Sequence, residues 1–446
     1  MPLPPQLRVL ILARCVNRLG GFSMAFLGVL LVRDLDAGPA GTAVALTCFG
    51  LATIPSRILG GHLADAWGHR PTMLLGLVGC AAAQLVIAAA PTYAWALVGA
   101  VLLGLAYEVV EPPTQALVSD LVPERARAFA YSALNASLAV AGILAGLVAA
   151  AVSGFGLRWL FVIDAATCLA CALLVGKWAL DENEAVGKGA LDEKGGATSS
   201  RVPISPHAPA SRVPSSRHAP ARRVPSSARE PVRARQRWTA ALADSRLHPV
   251  IAFGTVVATV TMVVVFGVPL LVEQRGLTTA VTGWVLAAGA AASVPGAWLV
   301  AALRRRTDDT GVLLVGEVTA ALGLVALAVA GSPVVLAAGL VVFDVGSLLV
   351  ISTTMARAGT LAPEGSRGTY LALLGLTWGL ATSIAPVVLA TAGTAYGPGA
   401  PFGLAAGLLS AALVVRMVTS GQRPRLRRRT SLGGLPAAYD RSGSTT

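Results

Sequence analysis

Residues 72–90 read T-M-L-L-G-L-V-G-C-A-A-A-Q-L-V-I-A-A-A, a segment without a charged side chain. A helix needs about 20 consecutive apolar residues to cross the hydrocarbon core of a bilayer, and similar segments lie on both sides of this one. They predict twelve membrane spans, numbered 1 to 12, near residues 6–32, 40–63, 72–90, 94–118, 131–153, 158–179, 248–272, 279–302, 310–331, 333–357, 369–393 and 399–419. The sequence therefore predicts an all-α integral membrane protein.

The composition also fits a membrane protein. The chain of 446 residues is 55% hydrophobic and 13% charged, with a mean hydropathy of +0.70, and one soluble core cannot bury that much apolar surface. The apolar runs are continuous, whereas the strands of an outer-membrane barrel alternate in hydrophobicity, so we expect helices. No cleavable signal peptide is expected, because the first run lacks a basic start and a small-residue cleavage site.

The spans fall into two blocks of six, with a polar stretch between them. We predict a first half at residues 1–179, a linker at 180–246, a second half at 247–419 and a tail at 420–446. The linker and the tail hold much of the excess positive charge behind the net charge of +13. We interpret this charge as a topology signal and as contact with anionic lipids, and we expect no nucleic-acid partner.

The predicted linker contains an internal repeat. An eleven-residue unit occurs three times: S-R-V-P-I-S-P-H-A-P-A from Ser200, S-R-V-P-S-S-R-H-A-P-A from Ser211 and R-R-V-P-S-S-A-R-E-P-V from Arg222. Proline at this density blocks both helix and sheet, and the repeats have too little apolar content to form a core. We therefore expect a disordered, basic linker rich in Pro, Ser and Arg.

Arginine is distributed unevenly over the connectors between spans. Eight arginines follow spans 2, 4, 8 and 10, namely Arg70, Arg125, Arg127, Arg304, Arg305, Arg306, Arg357 and Arg367, and three lie on the other side, namely Arg33, Arg158 and Arg275. Short loops rich in Lys and Arg stay in the cytoplasm. We therefore expect the first set, the linker and both termini to be cytoplasmic.

Short polar motifs lie at the ends of several spans. G-H-L-A-D-A-W-G-H-R occupies residues 61–70 between spans 2 and 3, D-L-V-P-E-R-A-R-A begins at Asp120 after span 4, and G-T-Y-L-A-L-L-G-L-T-W-G-L begins at Gly368 in span 11. The first resembles the G-x-L-a-D-r-x-G-r-r signature of the major facilitator superfamily, and together they resemble its bacterial drug/proton antiporters. The resemblance implies two six-helix halves that move by alternating access, in a bacterial inner (cytoplasmic) membrane.

The resemblance also implies a conformational gate. Its residues here are Gly61, Asp65, Gly68, His69, Arg70 and Asp120. Asp65 is expected to meet the positive N-terminal end of span 11, where a carboxylate is stabilised. Either His69 or Arg70 is expected to pair with Asp120, because Ala66 and His69 replace the arginines of the signature. The two glycines would permit a tight turn and a close helix approach.

Spans 1 and 4 hold charges at similar depths. Glu108 and Glu111 lie one turn apart in span 4, and Arg14 and Arg18 share one face of span 1. Counted along the helices, Arg14 matches Glu111 in depth and Arg18 lies near the level of Glu108. The resemblance places both spans beside the central cavity. Because charge is costly there, these groups either couple transport to protons or pin the helices together as fixed ion pairs.

Four other charged residues lie in predicted spans. Asp344, in the middle of span 10, either titrates or binds substrate, or makes a local hydrogen bond. Arg57 in span 2 either joins the charges of spans 1 and 4 or extends to the interface. Glu317 of span 9 and Asp164 of span 6 lie near span ends and are expected at the membrane interface.

The sequence contains no P-loop, catalytic triad or metal-ligand spacing. We therefore expect a monomeric transporter, with no enzyme activity, cofactor or metal, whose partners are a small-molecule substrate, protons and membrane lipids. The predicted function is proton-coupled efflux of hydrophobic or cationic small molecules. One alternative is proton-linked uptake of a metabolite, which stays open because span 5 has no proline between Gly142 and Gly146. The other is a scaffold or sensor that does not transport.

Overall fold

The computed structural model describes residues 4–21, 23–122, 124–195, 238–363 and 367–421. Every regular element within these ranges is helical, and twelve helical spans are long and apolar enough to cross a membrane. Spans 1 to 12 are Pro5–Asp34, Pro39–Trp67, His69–Ala89, Tyr93–Val118, Ala133–Phe155, Leu157–Lys177, His248–Gln274, Thr279–Arg304, Asp309–Val329, Pro333–Leu361, Thr369–Tyr396 and Ala400–Val418. The prediction of an all-α, multi-pass membrane protein is confirmed, and the predicted bounds agree to within a few residues.

Span 1 is interrupted in its middle. It consists of helices Pro5–Gly20 and Ser23–Asp34. Gly20 and Gly21 lie at the interruption, and glycine is a poor helix former because its backbone loses the most freedom on folding. The two glycines thus divide span 1 into two helical segments, which pack against different neighbours.

Span 4 is interrupted as well, at the level of its two carboxylates. Helix Tyr93–Tyr107 is followed by a 3-10 turn at Glu108–Val110 and by helix Glu111–Leu121. Pro112 and Pro113 explain the break, because they lack the N–H groups that would bond to the preceding turn, whereas proline is tolerated in the first turn of a helix. The last helix therefore begins in mid-span, and its positive N-terminal end favours a carboxylate in the first turn.

The region predicted as a disordered linker is helical at both of its edges. The helix of span 6 runs from Leu157 to Gly195, beyond the predicted end at residue 179, and residues 238–243 are also helical. Residues 180–195 contain no proline and include Leu, Ala, Glu and Lys, which are good helix formers, so the helix continues past the membrane span. The three repeats and the tail from residue 422 lie outside the described residues.

The two halves meet through spans 2 and 11 and through spans 5 and 8. A Cβ atom on Gly50 would lie 2.6 Å from the backbone of Ser383, and one on Gly146 would lie 2.6 Å from the backbone of Ala287. Only a residue without a side chain lets the backbones approach this closely. The glycines therefore determine where the halves touch.

The halves are in contact toward one end of the bundle. We call the end that carries residues 61–70 the motif end, and the opposite end, between spans 1 and 2, the far end. Near the far end, Arg33 donates a hydrogen bond from Nη1 to Oγ1 of Thr279 at 2.8 Å, and helix Ser23–Asp34 packs on span 7. Near the motif end, helices Pro5–Gly20 and Glu111–Leu121 pack on spans of the first half. The contacts between the halves that the described residues show therefore lie toward the far end and in the middle of the spans.

Candidate substrate and coupling site

An ion pair joins spans 1 and 4 in the first half. Nη2 of Arg14 is 2.9 Å from Oε2 of Glu111, and Oε1 of Glu111 accepts a hydrogen bond from Nε2 of Gln115 at 3.0 Å. The Glu111 side chain is 37% exposed and the Arg14 side chain 16%. The structure thus brings together two residues matched by depth in the sequence, and it leaves the carboxylate partly exposed.

Glu108, the second carboxylate of span 4, does not pair with Arg18, the residue that lies near its depth. Oε2 of Glu108 is 3.1 Å from Nη1 of Arg57 in span 2, and the backbone N–H of Glu108 donates to Oγ of Ser56 at 3.1 Å. The 3-10 turn holds Glu108 against span 2, whereas Arg18 lies on span 1. Arg18 and Glu108 lie at similar depths only along straight helices. The break at Pro112 changes the direction in which the Glu108 side chain points.

Arg57 also contacts the second half. Its Nη1 donates a hydrogen bond to the carbonyl oxygen of Gly375 in span 11 at 3.3 Å, and a Cβ atom on Gly375 would lie 2.8 Å from Cζ of Arg57. The guanidinium therefore links the Glu108 carboxylate to the contact between the halves. Sequence analysis did not single out Gly375, although it lies in the span 11 motif that begins at Gly368.

Arg18 and Asp344 have no charged partner within the part of the chain that the structure describes. Arg18 is exposed, and its side chain makes no hydrogen bond or ion pair there. Asp344 is half-buried in span 10, with Oδ2 against Gly289 of span 8. The local hydrogen bond that was one alternative for Asp344 is not formed among the described residues.

Glu317 is buried within the protein, and its expected depth near the membrane interface stays a prediction. Its side chain is 1% exposed, and Oε2 is 2.7 Å from Nη2 of Arg416 in span 12. Cζ of Arg416 lies 5.9 Å from the centre of the Phe253 ring, a distance at which a cation is attracted to an aromatic face. The position of Glu317 along span 9 indicated its depth, but not that the side chain turns inward toward span 12.

Asp164 is buried too, and its expected depth near the membrane interface likewise stays a prediction. It is 3% exposed, and a Cβ atom on Gly20 would lie 2.6 Å from its Cα atom. Oδ1 of Asp164 is 3.8 Å from Sγ of Cys168. The carboxylate therefore packs beside the interruption of span 1.

The predicted gate residues lie at the motif end. Asp65 is exposed and forms no hydrogen bond or ion pair with the residues that the structure describes. The beginning of span 11 lies partly outside the described residues, so the expected contact with it stays a prediction. The side chain of Asp120 lies outside the described residues, so its pairing with His69 or Arg70 stays a prediction.

The two gate glycines differ. Gly68 has a φ of +91° between spans 2 and 3, a conformation that side chains disfavour, which agrees with the predicted tight turn. A Cβ atom on Gly61 would meet no atom within 4 Å. No described residue approaches Gly61 closely, and the close approach expected there stays a prediction.

Two bundles of membrane helices with ion pairs inside them are typical of membrane transporters. The sequence profile of the Major Facilitator Superfamily matches residues 10–386, and the chain belongs to this family. It is a membrane transporter of small-molecule substrates and not an enzyme.

Two characterised proteins are similar over part of the chain. The puromycin resistance protein pur8 of Streptomyces alboniger is 32% identical over 118 residues, which are 26% of this chain and 24% of that protein. Solute carrier family 2, facilitated glucose transporter member 10 of Xenopus tropicalis is 26% identical over 171 residues, 35% of this chain and 30% of that protein. The matched regions span less than a third of either relative's length.

Solved transporter structures share the fold over nearly the whole chain. A POT family transporter in complex with 5-aminolevulinic acid superposes with a TM-score of 0.69 at 12% identity, covering 95% of this chain and 97% of that chain. The nucleoside transporter NupG superposes with a TM-score of 0.69 at 12% identity, covering 94% of this chain and 100% of that chain. At these identities the likeness shows the fold alone.

Proposed function

We propose that the protein exports hydrophobic or cationic small molecules in exchange for protons, by alternating access across a bacterial inner membrane. The observation that carries the proposal is the ion pair of Arg14 and Glu111, which joins two membrane spans and has a carboxylate that is 37% exposed. A charge in a membrane span is costly and is usually functional. Protonation of Glu111 would remove the attraction and free Arg14.

The pair of Arg57 and Glu108 extends this reasoning to the conformational change. Arg57 bonds both to Glu108 and to the carbonyl of Gly375 in the second half. When Glu108 is charged, it holds the guanidinium beside this contact, and when it is neutral the guanidinium is free to move. The charge state of span 4 thereby biases the contact between the halves, as a coupled transporter requires.

We propose export as the direction of transport. The motif end carries the arginine-rich connectors, so we place it in the cytoplasm. A cytoplasmic compound would approach Glu111 from this end. The similarity to a puromycin resistance protein supports export, whereas the similarity to a facilitated glucose transporter keeps uptake as the alternative.

The proposal is tested by the direction of the proton gradient that drives transport in liposomes. Ethidium is a suitable probe, because it is a permanently charged aromatic cation that protonation cannot trap. Exchange predicts that ethidium accumulates when the lumen is acidic and not when the outside is acidic. Accumulation with an acidic exterior would show cotransport and uptake, and a rate equal to that of protein-free liposomes under both gradients would favour a scaffold or sensor.

A further inference from the structure

Arg18 lies at the crossing of the two halves. Its Nε atom is 3.9 Å from the position that a Cβ atom on Gly142 of span 5 would occupy, and that position is 3.5 Å from Cβ of Ala290 in span 8. Span 8 belongs to the second half, so the guanidinium faces the contact between the halves and not lipid. It is exposed there and has no partner among the described residues.

Asp344 lies on the other side of the same crossing. Its Oδ2 atom is against Gly289, the residue that precedes Ala290 in span 8. Consecutive residues of a helix differ by about 1.5 Å in height. Arg18 and Asp344 therefore lie at nearly the same level, in opposite halves, on either side of spans 5 and 8.

The other cavity charges are already neutralised. Arg14 pairs with Glu111 and Arg57 pairs with Glu108. Arg18 and Asp344 are left as one cation and one anion that the protein does not pair with each other. Unpaired charges inside a membrane protein are costly, and they are retained where a ligand supplies the counter-charge.

We propose that the substrate is a hydrophobic zwitterion, with an anionic group that pairs with Arg18 and an amine that pairs with Asp344. The inference rests on the proposed transport function and specifies the class of its substrate. The glycine at 289 lets the Asp344 carboxylate lie directly against the backbone of span 8. A ligand held by both halves also senses their relative movement, which gives it differential affinity for the two conformations.

The test uses the purified full-length protein and three matched fluorescent probes, with binding followed by titration at neutral pH without a gradient. ε-Dansyl-lysine carries both a free amine and a carboxylate, its methyl ester keeps only the amine, and its α-N-acetyl derivative keeps only the carboxylate. We expect the zwitterion to bind at least about tenfold more tightly than either derivative. Binding of the ester or the acetyl derivative as tightly as the zwitterion, or no binding of the zwitterion, would overturn the proposal.

Two variants test which residue binds the carboxylate of the zwitterion and which binds its amine. Arg18→Gln should lower the affinity for the zwitterion to that of the ester and leave ester binding unchanged. Asp344→Asn should lower it to that of the acetyl derivative and leave binding of that derivative unchanged. Equal weakening of all three probes would contradict the assignment. Arg306→Gln and Asp309→Asn, at exposed positions of the motif end, are the matched controls and should bind all three as the wild type does.

Folding defects are separated from loss of recognition by Arg18→Lys. This variant keeps the charge and should keep the preference for the zwitterion over the ester, and loss of that preference would overturn the proposal. Because binding is measured without a proton gradient, a failure here is independent of the ethidium experiment. Zwitterion selectivity without exchange would refute only the coupling, and exchange without selectivity would refute only the substrate class.

Discussion

Each half of the transporter contains an arginine–glutamate ion pair, but the surroundings of the two pairs are opposite. In the first half, Glu111 is 37% exposed beside Arg14. In the second half, Glu317 is 1% exposed beside Arg416. The chemistry of the pairs is the same, so access to the carboxylate distinguishes them. An accessible carboxylate can exchange protons, whereas a buried pair holds two helices together.

The largest expected effect comes from removing one partner of the buried pair. Arg416→Leu leaves Glu317 as an uncompensated buried charge, which costs about 3 to 5 kcal/mol. We expect a strong loss of thermal stability in detergent, with partial recovery when Glu317→Leu is added. Arg14→Leu is the matched change in the first half and should cost much less, because water reaches Glu111. Equal losses for Arg416→Leu and Arg14→Leu would remove the distinction between the pairs.

A smaller effect is expected at the point where a first-half arginine touches the second half. Gly375→Ala would place a Cβ atom 2.8 Å from Cζ of Arg57, and the arginine must move because the glycine belongs to a packed helix. We expect transport to slow by about tenfold while stability changes by less than about 1 kcal/mol. Gly407→Ala, where a Cβ atom would meet nothing within 4 Å, is the control and should keep the wild-type rate. A wild-type rate for Gly375→Ala would show that the Arg57 contact does not influence the conformational change.

The gate should show a more modest effect. Asp65 is exposed and makes no hydrogen bond or ion pair among the described residues, so Asp65→Asn should leave the stability of this conformation unchanged. It should slow turnover several-fold by destabilising the closed motif end, where a carboxylate meets a helix N-terminus at about 0.3 to 1 kcal/mol. Spin-label distances across the motif end should shift toward the open state. Unchanged distances together with unchanged turnover would contradict the gate assignment.

The smallest effect is expected outside the membrane, at the segment before span 7. Side-chain and backbone hydrogen bonds from Arg246 lower the pKa of Asp244, and the hydroxyl of Tyr370 adds a hydrogen bond at 2.8 Å. A carboxylate whose pKa is lowered in the folded state stabilises the fold at pH values above its ordinary pKa of about 3.9. This stabilisation is lost as the pH falls below that value. We expect hydrogen exchange of residues 238–247, corrected for its intrinsic rate, to accelerate slightly from pH 5 to pH 3. In Tyr370→Phe this pH dependence should weaken, and identical profiles would exclude a contribution from the hydroxyl.

The length of the apolar segments was sufficient to predict the spans. Lipid requires every segment that crosses it to satisfy its backbone hydrogen bonds internally, and a long apolar helix does so. Depth along a helix could also be read from the sequence, and it correctly matched Arg14 with Glu111. The direction in which a side chain points around the helix could not be read from the sequence. The sequence therefore did not show that neighbouring spans bury Glu317 and Asp164.

The break in span 4 shows a second limit of sequence reasoning. Pro112 and Pro113 were visible in the sequence, but their effect depends on how the preceding turn adapts. Here it becomes a 3-10 turn that points Glu108 toward Arg57 and away from span 1. The contact of Arg57 with Gly375 was out of reach for a different reason, because it joins residues 318 positions apart that only the packing of the halves brings together.

The central claim is that the accessible Glu111 carboxylate carries the exchanged proton. It is tested most directly by recording lumenal pH in acid-loaded liposomes when ethidium is added, for the wild type and for Glu111→Gln. The wild type should release protons in proportion to ethidium uptake, and the variant should fold and bind ethidium but release none. Proton release by Glu111→Gln at the wild-type ratio to ethidium uptake would contradict the claim and would assign coupling to another acid.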